Sequence, residues 1–140
     1  ALGKFIAKER PEYIVCIGDM ADLPSLSSYD KGTKGFEGRR YMKDVNAVID
    51  AQTKLFAPIK KIRNYKAKLY MTLGNHEDRI DRFVDENPEL EGKMKISDLQ
   101  FKEYGWQEVP FKQIKVISGV HYVHYLPNGI MGRAISIDCP

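Results

Sequence analysis

Two apolar runs in this chain end in the same way, and that repetition constrains the fold more than any other feature. In 13-YIVCIGDMAD-22 a β-branched and aromatic run stops at Gly18, and Asp19 follows. In 68-KLYMTLGNHEDRI-80 a second run stops at Gly74, and Asn75, His76 and Glu77 follow. Short continuous apolar runs suit strands buried on both faces of a parallel sheet. Between them come residues 19–40, a long loop rich in glycine, serine and aspartate, and then a helical stripe. Tyr41, Val45, Val48, Ile49, Leu55, Phe56, Ile59 and Ile62 follow the helical period. A strand, a helix and a second strand in that order predict a parallel pair with a right-handed crossover. Both endings then lie at the carboxyl edge of one sheet, where open α/β sheets hold their ligands.

The remaining segments fit around that pair. Leu2, Phe5 and Ile6 predict a first helix that Pro11 stops, and Pro58 predicts a break in the long stripe near Ala57. Ile80, Phe83 and Val84 share one face of a short helix ending near Asn87-Pro88, and a weak helix is expected over 96–104 with Ser97 as its cap. Val109 and 114–117 read as strand, with Trp106 and Tyr104 as core or edge aromatics. Ser118-Gly119 reads as a hairpin turn and 120–126 as the returning strand, broken by Pro127-Asn128-Gly129. The predicted class is α/β: parallel strands with crossover helices plus a β-hairpin extension. At 140 residues the chain fits a single domain.

Composition excludes several classes. Hydrophobic residues at 43% and charged residues at 29% describe a globular protein and not a disordered one. No apolar run is long enough to span a bilayer, and no basic-then-apolar leader is present. A net charge of +3 does not by itself indicate nucleic acid. Of the two cysteines, Cys16 lies in an apolar run and Cys139 near the end, a poor disulfide pair that suits a reducing compartment. The expected location is cytoplasmic.

The chemistry lies at the two strand ends. Asp19 offers a hard anionic oxygen, Asn75 a neutral amide oxygen and His76 a nitrogen that ligates or transfers a proton. Such a set without thiolates suits divalent manganese, iron, zinc or magnesium, and a phosphate ester gives such a site a purpose. Each ending also has a plain structural reading. Gly-Asp is ordinary turn chemistry, and Asn75 can cap a helix whose first turn carries Glu77 and Asp78. Arg39-Arg40 and 60-KKIRNYKAK-68 read most simply as solvated faces.

GDMAD and GNHED, with a helix between them, resemble the second and third signature motifs of the calcineurin-like metallophosphoesterases. The resemblance covers about residues 1–126. It implies a partial metallophosphoesterase-like α/β sandwich and two divalent metal ions, with Asp19 bridging them and Asn75 binding one. It further implies His76 as proton donor to the leaving oxygen, with Asp22, Glu77 and Asp78 in support. A later histidine supplies another ligand in that family, and 119-GVHYVHYLPNG-129 offers His121 or His124. On a regular strand these face opposite ways. His124, placed at the expected strand end, is preferred.

Two of the family's motifs, an early Asp-x-His and a late Gly-His-x-His, are absent from the chain. Residues 1–140 are therefore expected to be an internal fragment of a catalytic domain of the phage or bacterial type, working in a bacterial or phage-infected host cell, binding metal weakly and hydrolysing little. The expected parent activity is hydrolysis of phosphodiesters or phosphomonoesters. Arg39 and Arg40, with the lysine-rich 60–68 stretch, are candidates for holding a polyanion such as nucleic acid. Leu23-Pro24 stands where protein phosphatases carry Arg-Gly, which disfavours that substrate. The alternative is a non-catalytic α/β module that binds nucleic acid or a partner through Lys60, Lys61 and Arg63. The oligomeric state is not legible.

Overall fold

The computed structural model describes residues 1–125. Its centre is a three-stranded parallel sheet in the order β1 (Tyr13–Cys16), β2 (Lys68–Thr72), β3 (Trp106–Val109). Residues in register share a face, so Ile14, Leu69 and Trp106 form one row and Cys16, Met71 and Glu108 the next. Helix α2 (Tyr41–Phe56) covers this face, where the Phe56 ring meets Trp106 edge-on at 5.7 Å. Val45, Val48, Leu99 and Phe101 are among the residues that form the buried core. On the other face Tyr13 and Tyr70 stack at 6.5 Å, and the Lys115 ammonium lies 4.4 Å from the Tyr70 ring.

Helix α1 (Leu2–Glu9) buries Gly3 and Ile6 against the end of α2. A side chain at position 3 would overlap the Leu55 carbonyl, so Gly3 is what lets the two helices approach. The break expected near Ala57 occurs there: α2 stops at Phe56 and Ala57 is its C-cap. Helix α3 (Arg79–Glu86) follows β2. A hairpin, β4 (Lys115–Ile117) with β5 (Val120–Tyr122), turns at Ser118 and Gly119. Their positive φ angles, 50° and 79°, match the twist of antiparallel strands.

Three expectations need correction. Trp106–Val109 is a full third parallel strand, not Val109 alone. Its alternation runs over only four residues with Gln107 and Glu108 in the middle, too short to stand out. The helix expected over 96–104 is instead two 3-10 turns, Ile96–Leu99 and Lys102–Tyr104, separated by Gln100 in the left-handed region at φ 57°. That break lets Leu99 and Phe101 both point into the core. Ser97 is not the cap: Asp98 accepts the Lys95 backbone N–H at 3.1 Å. Finally, the returning strand ends at Tyr122, before His124. The expected strand end at Leu126, the Pro127-Asn128-Gly129 break and Cys139 lie outside the described residues.

Candidate metal centre

Because β1 and β2 are parallel neighbours, their carboxyl ends bring Gly18-Asp19 and Gly74-Asn75 side by side. The two loops nearly touch. A Cβ at Gly18 would lie 2.7 Å from the Gly74 nitrogen, and one at Gly74 would overlap Asp19 Oδ1 and lie 2.6 Å from the Asp19 nitrogen. Glu77 holds them together. Its carboxylate is fully buried and accepts three backbone N–H groups: Asp19 at 3.0 Å, Ala21 at 2.9 Å and Gly74 at 2.7 Å. A buried carboxylate is costly unless its lone pairs are filled, and here charge-assisted bonds fill them.

Three polar atoms converge at this rim. His124 Nε2 lies 2.9 Å from Asn75 Oδ1 and 3.4 Å from Asp19 Oδ2. His124 Nδ1 lies 2.5 Å from the Ile17 carbonyl oxygen, which can only accept, so Nδ1 carries the hydrogen. In the neutral ring the Nε2 lone pair then faces two acceptor oxygens. That arrangement is unfavourable unless a proton or a cation sits among them. One carboxylate, one amide oxygen and one imidazole form a set that suits a divalent cation of the manganese, iron, zinc or magnesium type. Among the described residues no three His, Cys, Asp or Glu side chains converge as a metal site, because the third donor here is an amide. The described donors therefore fit part of one ion's coordination sphere and do not supply two. Cys16 adds no soft ligand. Burial foremost, with the charges of Glu77 and Asp19, pushes its thiol above the usual range despite a long contact to the Gly18 carbonyl.

The other candidates are placed as follows. The His76 backbone N–H donates to Asp19 Oδ1 at 3.1 Å, and its Nδ1 lies 3.0 Å from Asp22 Oδ1. A carboxylate only accepts, so His76 Nδ1 carries the hydrogen and Nε2 is the atom left to exchange a proton. Arg79 donates to the Asp22 carbonyl at 2.7 Å and fixes that segment. Asp78 pairs with Arg82 at 3.1 Å, and Arg82 donates to the Asn75 carbonyl at 3.1 Å. Asn75 does not cap α3; the capping position is Asp78. His121 sits within β5 in register with Val116. Arg39 donates to the Pro24 carbonyl at 3.0 Å and pairs with Asp30 at 2.6 Å, so it pins the loop after β1. Arg40 is exposed, and it donates to the Arg39 carbonyl at 2.7 Å. The lysine-rich stretch leads into the start of β2, at the opposite edge of the sheet from Asn75. There Lys68 is engaged with Glu12 and Tyr13, and Lys60 lies over the Tyr104 ring.

The sequence profile described as calcineurin-like phosphoesterase matches residues 1–136, nearly the whole chain. The chain belongs to the calcineurin-like phosphoesterase family. Metal-dependent phosphoester hydrolysis is the chemistry of this family, which generally uses two divalent ions. The chain is 27% identical over 139 residues to the Gene 54 protein of Mycobacterium phage D29. The match covers 96% of this chain and 52% of that relative, so the chain spans about half the relative's length. No solved structure gives a significant match. Among the described residues no helix is long and apolar enough to cross a membrane.

Glu77 was legible only as an acidic residue in support of the motif. Its burial and its three backbone partners depend on the approach of the two loops, which no local pattern encodes.

Proposed function

We propose that this calcineurin-like phosphoesterase chain holds a divalent cation through Asp19, Asn75 and His124 and serves the hydrolysis of phosphate esters. The observation that supports this best is the convergence of His124 Nε2 on Asn75 Oδ1 and Asp19 Oδ2 at 2.9 and 3.4 Å. A cation bound there supplies the positive charge that polarises a phosphoryl oxygen. The chain's own residues do the rest. Asp22 holds the His76 Nδ1–H and so aims Nε2 at the leaving oxygen; when Nε2 also carries a proton, the imidazolium gives it up and returns to the neutral ring. Glu77 fixes both loops so that the donors keep their spacing without rearranging.

A dinuclear site needs more ligands than the described residues supply, so further donors come from elsewhere in the protein. The activity of this chain alone is then small or nil. Phosphodiesters and phosphomonoesters are both candidate substrates. The cytoplasm of a phage-infected bacterial cell is the proposed setting, on the strength of the phage relative. Arg40 remains a candidate for contacting a phosphate chain, since its guanidinium is exposed.

The test is hydrolysis of a chromogenic phosphodiester and a phosphomonoester by the full-length protein with added Mn²⁺. Asp19→Ala and Asn75→Ala are expected to abolish metal-dependent turnover. His76→Ala is expected to lower kcat roughly 10²-fold or more. Turnover unchanged by Asp19→Ala and Asn75→Ala would refute the assignment.

A further inference from the structure

A cavity of about 510 Å³ opens directly beside Asn75 and runs along the outer side of α3. Its size suits a small organic group. One wall is the loop after β1, carrying Tyr29; another is α3, carrying Arg82 and Phe83; the third is Phe111, Lys112 and Tyr125. The aromatic rings form a chain that starts at the candidate cation site. The Phe111 ring lies 6.3 Å from the His124 imidazole and stacks on Tyr125 at 6.2 Å with a 27° tilt.

The fold does not need all of these aromatics. Tyr29 is 91% exposed and Tyr125 45% exposed, so neither contributes much to the core. Lys112 holds a left-handed backbone at φ 66°, a strained conformation for lysine, and its ammonium sits 5.1 Å from the Phe111 ring. Aromatic faces stack a neutral flat π system, and cations beside them attract the phosphate attached to it. Arg82 and Lys112, together with Asp78 and Glu86 on the same walls, make a poor lining for an acyl chain.

We propose that this cavity is a nucleoside subsite: it seats the base and sugar of a nucleotide whose phosphate lies at the Asp19–Asn75–His124 site. The proposal rests on the phosphoesterase reading for the position of the phosphate, but the stacking surface can be tested without it. The base stacks against Tyr29, with the Phe111–Tyr125 pair lining the same cavity, and Asn75 stands where the cavity meets the cation site. Stacking of this kind tolerates any base, so selection among bases is weak.

The test is calorimetric or NMR titration of the full chain with four probes: adenosine, ribose 5-phosphate, adenosine 5′-monophosphate and a single-stranded tetranucleotide. Adenosine 5′-monophosphate is expected to bind about tenfold or more tighter than ribose 5-phosphate, and adenosine alone to bind without added metal. Tyr29→Ala, at an exposed position that folding does not need, is expected to weaken both adenosine probes about fivefold or more and to leave ribose 5-phosphate unchanged. Phe111→Leu gives a second reading of the same surface. A tetranucleotide that outcompetes the mononucleotide identifies a strand end as the source of the base; equal binding identifies a free nucleotide. Equal affinity for adenosine 5′-monophosphate and ribose 5-phosphate, or no effect of Tyr29→Ala, overturns the subsite. Loss of Mn²⁺ dependence alone, with adenosine binding intact, counts against the phosphoesterase reading and not against the subsite.

Discussion

The two glycine-led strand ends look alike in sequence and are held in different ways. At the first, Gly18 has φ 90° and Asp19 φ 52°, so two successive residues sit in the left-handed region. Its backbone N–H groups at Asp19 and Ala21 are satisfied from outside, by Glu77. The second end is held mostly by its own residues, with one bond taken from the first loop, the His76 N–H to Asp19 Oδ1 at 3.1 Å. Gly74 has no left-handed backbone, its N–H is satisfied by Glu77 three residues on, and its carbonyl accepts from Asp78 at 3.1 Å. Gly18 is therefore required by conformation and by space, Gly74 by space alone. The second loop supplies the main clamp, Glu77, and the first loop returns a single bond through Asp19.

The sharpest way to break that contrast is Glu77→Gln. The amide keeps one acceptor oxygen but turns an NH₂ toward backbone N–H groups in a buried site. A loss of about 3 kcal/mol is expected by urea unfolding. Hydrogen exchange should accelerate first at Asp19 and Ala21, while α3 stays protected. Equal loosening of both loops would show that the clamp is not one-sided.

The two glycines give the next comparison. Gly18→Ala should cost about 1–2 kcal/mol more than Gly74→Ala, because left-handed strain adds to the overlap with the neighbouring loop. Gly74→Ala should itself cost about 1–3 kcal/mol by overpacking against Asp19. Equal costs, measured by thermal or urea unfolding, would remove the conformational half of the argument.

The smallest effect on stability is expected at Asp22, whose side chain is 75% exposed. Asp22→Asn should change stability by less than about 0.5 kcal/mol. In the full-length protein it should lower kcat more than KM, because the His76 ring loses the charged partner that orients it. A change confined to KM would move Asp22 from orienting His76 to contacting substrate.

The sequence revealed the parts of this molecule that depend on local pattern. The runs of β1 and β2, the break at Ala57 and the Ser118-Gly119 turn were all legible, because each rests on periodicity or on a backbone that few residues adopt. What was not legible depends on tertiary partners. Trp106–Val109 becomes a strand because β2 offers it an edge. His124 lies two residues beyond β5, so strand alternation said nothing about its direction. Its orientation is instead fixed by the Ile17 carbonyl at the end of β1. Glu77 reads as a first-turn acid and is in fact the buried link between two loops.

The central claim is that side chains from positions 19, 75 and 124 share one divalent cation. Paramagnetic titration tests it most directly, since the chain has only three histidines. With substoichiometric Mn²⁺, the ring protons of His124 should broaden first, those of His76 close behind and those of His121 last, and Asn75→Ala should abolish the order. Broadening of His121 ahead of His124, or a pattern that Asn75→Ala leaves intact, would contradict the account.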